Sequence, residues 1–308
     1  MNNMRVLIKG EGLAALTAAR LLAKEGIEVS VQQEAVYKRP VLMLPENTTW
    51  LLNDIWGLSE DLEGIAYPIF SKKVVSDAGG VDEFAYKAYS VEQRMLQQIL
   101  KHELTRQCKS VTWLEEGGAE DYGAYNWIVN SVPGNGAYTN FGARCVTAFT
   151  CNYEPGQQNN FCLMQPDTGG WFFVFPTGTG KGCLQIMHTR GAEPAFEYAA
   201  ARIKETTGVV ISCDGHNEPA TFPAFPRLNK QFYNKNEITI GQSLARYDPI
   251  AGDGTGNAIR SAAWAARIII KDLQNENVLE LLHSYESSIT RHFYRHVAMC
   301  HELYKETM

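Results

Sequence analysis

Gly10, Gly12 and Ala15 stand in the spacing GxGxxA, directly after the apolar run Val6, Leu7, Ile8 and at the head of the stretch LAALTAARLLAKEG. Each of the three suits a strand-to-helix turn. The first glycine permits the tight turn, the second lets the backbone approach a pyrophosphate, and the small third residue lets helix and strand pack, with the helix N-terminus facing the anion. The next segment, EVSVQ, alternates as a strand, so the implied chemistry is dinucleotide binding on a β-α-β unit of about thirty residues. A unit that uses its glycines for packing alone is the weaker alternative, because strand, turn, helix and strand all follow in order.

Two other groups of residues could do chemistry. In GWFFVFP, Gly170 to Pro176, the aromatics alternate sides of a strand, so Trp171, Phe173 and Phe175 share one face that can be core or the wall of a pocket. His292, His296 and Cys300 fall at i, i+4 and i+8, which is metal-ligand spacing on a helix. With Arg291 and Arg295 beside them they read as an ordinary polar helix face, and no metal site is expected.

The elements that must position these residues are legible in outline. Apolar residues at helical period run through VEQRMLQQILKHEL, Val91 to Leu104, whereas 37–58 is mixed and reads as helical only near 53–58. WIVNSV reads as a buried strand before the turn cluster Pro133-Gly134-Asn135-Gly136. From Arg144 to Arg190 the pattern becomes two-residue alternation with aromatics, an antiparallel sheet. A helix over Pro194 to Thr207, a strand EITIG, a glycine-rich loop, the helix NAIRSAAWAARIIIKDL and a terminal amphipathic helix complete the chain.

Composition excludes several classes. Of 308 residues, 28 are basic and 34 acidic, a net charge of −6, so no basic field is available to hold nucleic acid. Seven cysteines form no CxxC pair and are odd in number, which suggests neither a zinc knuckle nor a disulfide framework and fits a reducing cytoplasm. No apolar run reaches membrane-spanning length, and no signal-peptide pattern precedes the first strand. The expectation is a soluble, cytoplasmic α/β protein.

The two glycine motifs together resemble the FAD-binding monooxygenase superfamily, and DPIAGDGTGNAIRSA is most similar to its geranylgeranyl-reductase and flavin-dependent-halogenase branch. That resemblance implies a Rossmann-like FAD-binding domain with an interleaved antiparallel β-sheet substrate domain. The FAD domain would be discontinuous, 1–58, 89–145 and 238–275, the sheet domain 59–88 and 146–237, and 276–308 a C-terminal helical segment. It also implies a set of cofactor-binding residues: Gly10, Gly12, Leu13, Ala14 and Ala15 at the first turn; Gln33, Glu34 and Arg39 after the second strand; and Gln93 on the long helix. In the last loop it implies Gln242, Asp248, Pro249, Gly252, Gly254, Thr255, Gly256 and Asn257, where small residues let the backbone touch the isoalloxazine and the helix N-terminus stabilises charge at flavin N1 and O2.

The implied activity is FAD-dependent oxidation, foremost monooxygenation: reduced FAD captures dioxygen as a C4a-peroxide and delivers oxygen to a small molecule or protein held under the sheet. A dehydrogenase or reductase, a flavoprotein that modifies a protein partner in quinone-cofactor maturation, and a non-catalytic binder are the alternatives, with a separate electron donor left open. The chain departs from the family at three places. Gln33 stands where an acid usually binds the ribose, Gln242 follows Gly241 where the family has Gly-Asp, and Pro133-Gly134-Asn135-Gly136 replaces an Asp-Gly motif. Gln is a weaker acceptor for hydroxyl donors than a carboxylate, so weak FAD affinity is expected. Neither branch's specific activity carries over, since Phe173 takes the place of a second tryptophan, and Leu184 and Ile186 that of a GxG.

Overall fold

The computed structural model describes residues 4–33, 41–58, 62, 64–76, 79–115, 118, 121–134, 137–157, 159–189, 191–192, 194–215 and 218–306. The opening apolar run forms β1 (Arg5–Lys9), in which Val6, Leu7 and Ile8 are all fully buried. A strand buried on both faces belongs inside a parallel sheet. β1 indeed pairs in parallel with β2 (Glu28–Gln32) on one side and β7 (Trp127–Asn130) on the other. β6 (Val111–Leu114) extends the sheet beyond β2 and β17 (Glu237–Thr239) extends it beyond β7, both in parallel, and β16 (Tyr233–Asn234) closes the β17 edge antiparallel.

The helix α1 (Leu13–Lys24) links β1 to β2 and packs on α6 (Gly254–Leu273). Both helices offer alanines to this contact, Ala15, Ala18 and Ala19 on one, Ala262, Ala265 and Ala266 on the other, all buried. Small side chains let the two axes approach closely. Arg20 is buried on α1, its Nε donating to the Ile55 carbonyl (2.7 Å) and its Nη1 to Gln107 Oε1 (2.8 Å). This ties α1 to the end of α2 (Glu46–Trp56) and to α3 (Gln93–Gln107).

The nine-stranded second sheet runs β13 (Ile211–Cys213), β9 (Arg144–Tyr153), β12 (Lys181–Thr189), β11 (Gly170–Gly178), β10 (Phe161–Asp167), β4 (Tyr67–Val75), β5 (Val81–Glu92) and β3 (Val41–Pro45), with β14 (Ala220–Pro223) also on β9. Every pairing is antiparallel except β10 with β4. The segment from Arg144 to Thr189 is the antiparallel array expected from its alternation. GWFFVFP is apolar throughout because both faces of β11 are covered: Trp171, Phe173 and Phe175 share a cluster with Met187, Phe222, Cys300 and Tyr304, while Phe172 and Val174 pack with Phe196 and Ile203 of α4 (Phe196–Thr207).

A small sheet of β8 (Tyr138–Asn140), β15 (Arg227–Asn229) and β18 (Ala245–Arg246) bridges the two halves. Between β17 and β18 lies the short α5 (Gly241–Leu244), and after α6 the chain ends in α7 (Leu279–Glu306). The architecture is the α/β class read from the sequence, a Rossmann-like sheet with an interleaved antiparallel one. The mixed segment differs from its reading. It forms strand β3 and then helix from Glu46 rather than from near residue 53, because its inward-facing positions include buried Thr48, which dilutes the apolar period. Among the described residues no helix is long and apolar enough to cross a membrane.

Candidate cofactor site

The C-terminal ends of β1, β7 and β17 deliver Gly10, Ser131 and Gly241 to one cleft of about 220 Å³. Open parallel sheets bind ligands at this edge, outside the carboxyl ends of their strands. Gly10 has φ +97°, and a Cβ there would meet Ser131 Oγ, whose hydroxyl donates to the Lys9 carbonyl (2.6 Å). Gly12 is different: its φ is −71°, and a Cβ would meet no atom of the chain within 4 Å. The space in front of Gly12 is therefore cleft.

Two helix N-termini open on that cleft. Gly12 caps α1 and Asp253 caps α6, and neither gives its helix a side-chain cap. Asp253 is instead engaged by Arg260 Nη1 (2.7 Å) and Thr48 Oγ1 (3.3 Å). The first N–H groups of a helix need partners from outside it, and uncapped starts at a cleft suit anionic or electron-rich ligands. A diphosphate against Gly12 to Ala14 and a flat ring against Pro249, Gly252 and Gly254 fit this donor set, so the residues present fit FAD. Glu11 also faces the cleft, where its charge would oppose a phosphate, but Lys101 Nζ pairs with it at 3.0 Å.

Most residues singled out in the sequence meet here. Gly10, Gly12, Leu13, Ala14, Gln93, Gln242, Asp248, Pro249, Gly252, Gly254, Thr255, Phe173 and Phe175 all line the cleft. Ala15 is buried at the contact of α1 with its sheet and helix neighbours, and Gly256 is buried against Asp253 and Thr48. Gln33 follows β2 with its N–H bonded to the Leu114 carbonyl and is not part of the cleft wall, while Glu34, Arg39, Asn135 and Gly136 lie outside the described residues. Asn257 lines a second cavity, about 340 Å³, on the other side of α6 with Trp264 and His292. Trp171 lies off the cleft wall, its Nε1 donating to the Tyr304 hydroxyl (3.2 Å).

Sequence reasoning missed several wall residues. Gln185 pairs directly with Phe173 across β11 and β12, which sets one amide into an aromatic surface, and Phe222 of β14 extends that surface. Arg246 is buried on the cleft, its Nε donating to the Phe225 carbonyl (3.1 Å). The alternation KGCLQIMHT carried a signal for Gln185, a polar residue in register with a wall aromatic, but only the strand order of the sheet reveals it.

The terminal helix corrects one reading. His296 and Cys300 are buried rather than on a polar face, because α7 packs against the loop after β18 and the inner face of β11 and β12. His296 Nε2 accepts the Asp248 N–H at 2.8 Å and lies 3.4 Å from Cys300 Sγ. Burial, with His292 adding to it, pushes the His296 imidazole down to about 4, so it is neutral and its proton sits on Nδ1. Tyr304 donates to the Asp248 carboxylate, 2.9 and 3.0 Å from its two oxygens, and the Ile250 N–H donates to Oδ1 at 3.0 Å. Burial pushes the Asp248 carboxyl up to about 6 against the opposing pull of those two donors and of Arg144. Among the described residues no group of three or more His, Cys, Asp or Glu side chains could hold a metal.

No protein-family profile and no curated protein sequence matches this chain. Solved structures do. PqsL of Pseudomonas aeruginosa, a probable FAD-dependent monooxygenase, superposes with a TM-score of 0.77 at 16% identity, covering 99% of this chain and 96% of that one. The flavin-dependent brominase Bmp2 gives a TM-score of 0.74 at 13% identity, over 92% of this chain and 82% of the brominase. QhpG, a peptidyl tryptophan dihydroxylase essential for tryptophylquinone cofactor biogenesis, gives 0.73 at 16% identity, over 95% and 73%. The likeness is one of fold: this chain has the fold of the FAD-dependent monooxygenases and flavin-dependent halogenases, as its glycine motifs led us to expect.

Proposed function

We propose that this protein is an FAD-dependent oxidoreductase, and specifically a monooxygenase acting on a substrate held beneath the antiparallel sheet. The observation that carries this reading is the pair of uncapped helix starts, at Gly12 and Gly254, opening on one cleft roofed by Phe173, Phe175 and Phe222. When bound, FAD would supply electron transfer and oxygen activation. The chain's own contribution is binding and shielding. The N–H groups at the start of α1 hold the diphosphate, and the start of α6 stabilises negative charge on the ring. The aromatic roof excludes water, and Gln185 and Arg246 offer the substrate polar contacts on an otherwise apolar wall.

All seven cysteines are free thiols, which supports a reducing, cytoplasmic setting. The test is reconstitution of the purified protein with FAD. A yellow complex with flavin absorbance and quenched fluorescence, which after chemical reduction consumes dioxygen, is the expected result. Protein that stays colourless and takes up no FAD overturns the flavoprotein reading, and a bound flavin inert to dioxygen turns it toward a dehydrogenase.

A further inference from the structure

Behind the cofactor cleft lies the second cavity, about 340 Å³, between α6 and α7. Gly241, Ala245, Tyr247 and Ala258 line both spaces, so a single layer of mostly small residues divides them. Helical spacing brings Asn257, Arg260 and Trp264 of α6 onto one side of the cavity, and α7 faces them with Ser288, Ile289 and His292. Trp264, His292 and Tyr247 give it flat aromatic surface.

Its polar groups are chiefly donors that lack acceptors. Tyr247 is only 9% exposed, and its ring packs on His292, Phe293 and His296. The charges acting on its phenol oxygen are Asp253 and Arg260, which line this cavity and not the cleft, so the hydroxyl points here. Burial, with Asp253 adding to it, pushes the phenol up, so it keeps its proton, yet among the described residues it makes no hydrogen bond. Arg260 uses only Nη1, on Asp253 Oδ2 and Asn257 Oδ1 (2.7 and 3.1 Å), which leaves Nε and Nη2 without a partner among the described residues. Asp253, the acid on this wall, is already held by Arg260 and Thr48. A donor turned into a cavity without a partner favours a ligand that brings an acceptor, and the flat fork of a guanidinium suits a carboxylate.

We propose that this cavity is a binding site, separate from the cofactor cleft, for a small aromatic carboxylate. The ring lies against Trp264, and the carboxylate accepts from the Tyr247 hydroxyl and from Arg260. The site stands whatever the cleft holds.

The experiment is calorimetric titration of the full chain with 2-naphthoate, and with 2-naphthalenemethanol as its neutral match, each with and without added FAD. The carboxylate should bind in both conditions, and about tenfold tighter than the alcohol. Arg260→Gln should erase that preference, and Tyr247→Phe should weaken the carboxylate several-fold while leaving the alcohol closer to its parent affinity. Ser288 is exposed at the mouth of the cavity, so Ser288→Trp should fill the entrance without disturbing the core, and it keeps the test open where Arg260→Gln fails to fold. No binding of 2-naphthoate, equal affinity for the alcohol, or binding that Ser288→Trp leaves unchanged overturns the proposal. So does binding that FAD competes away, which would put the probe in the cleft. Protein that binds 2-naphthoate but takes up no FAD sinks the flavin reading alone.

Discussion

A Cβ placed on Gly241 would stand 2.9 Å from the Cβ of Ala14. The end of β17 and the first turn of α1 are thus in backbone-to-side-chain contact, which joins the two glycine motifs at one seam of the cleft. Gly241 has φ +58°, and its N–H donates to Ser261 Oγ of α6 at 2.9 Å, so the same residue also holds the second helix. The cleft has its width because neither motif carries bulk at this point.

Gly241→Ala should therefore destabilise the fold by about 1–3 kcal/mol, from overpacking against Ala14 and from the positive φ together. Adding Ala14→Gly should recover the packing part and leave the backbone strain. Chemical denaturation of the two single variants and the double variant measures this. A double variant no more stable than Gly241→Ala would mean that Ala14 is not what the new methyl meets.

Gly12→Val isolates the cofactor from the fold. Nothing in the chain lies within 4 Å of the added Cβ and φ is ordinary, so stability should change by less than about 1 kcal/mol. The branched side chain would occupy the space proposed for the diphosphate, and FAD affinity should fall more than tenfold. Fluorescence titration decides it, and parent-like affinity would show that the first motif serves packing alone.

The unit β1-α1-β2 was legible because strand, turn and helix each had a local signature: an unbroken apolar run, two glycines, and alanines at helical spacing. The segment of β3 and α2 was not, since Thr48 is buried by a partner, Asp253, that lies far along the chain. Most of the cleft wall named from sequence was backbone-defined, as at Gly10, Gly12, Gly252 and Gly254, where residue type alone carries the geometry. Gln185, Ser131 and Arg246 owe their place to strand order, which periodicity does not encode. His296 and Cys300 had visible spacing, but whether that face met solvent or a loop depended on where α7 docks.

Gln242→Asp should tighten FAD. Gln242 is exposed on the cleft rim, and its carbonyl accepts from Arg227 Nη2 at 3.2 Å, so a cation already stands beside any new charge. A carboxylate accepts stronger hydrogen bonds from ribityl or ribose hydroxyls than an amide, for about 1 kcal/mol. Flavin quenching against protein concentration would register a several-fold gain. Unchanged or weaker binding would place the Gln242 side chain away from the cofactor.

Asp248→Asn should change how stability depends on pH. The folded carboxyl titrates near 6, above its ordinary value of about 3.9, so folding favours the protonated form. That contribution is full below about pH 3.9 and is lost as pH rises through 6, which makes ionised Asp248 cost about 3 kcal/mol by pH 7. His296 has the opposite sign: its folded value near 4 means stability that is full above about 6.5 and lost as pH falls. Because His296 is present in both proteins, its effect cancels in the difference between them. Asparagine cannot ionise, and its side-chain oxygen can still accept from Tyr304 and Ile250. The variant should thus match the parent within about 1 kcal/mol at pH 4 and exceed it by about 2–3 kcal/mol at pH 7. Urea denaturation at pH 4, 5.5 and 7 gives the comparison, and a difference that stays constant across the three would mean that Asp248 does not titrate in this window.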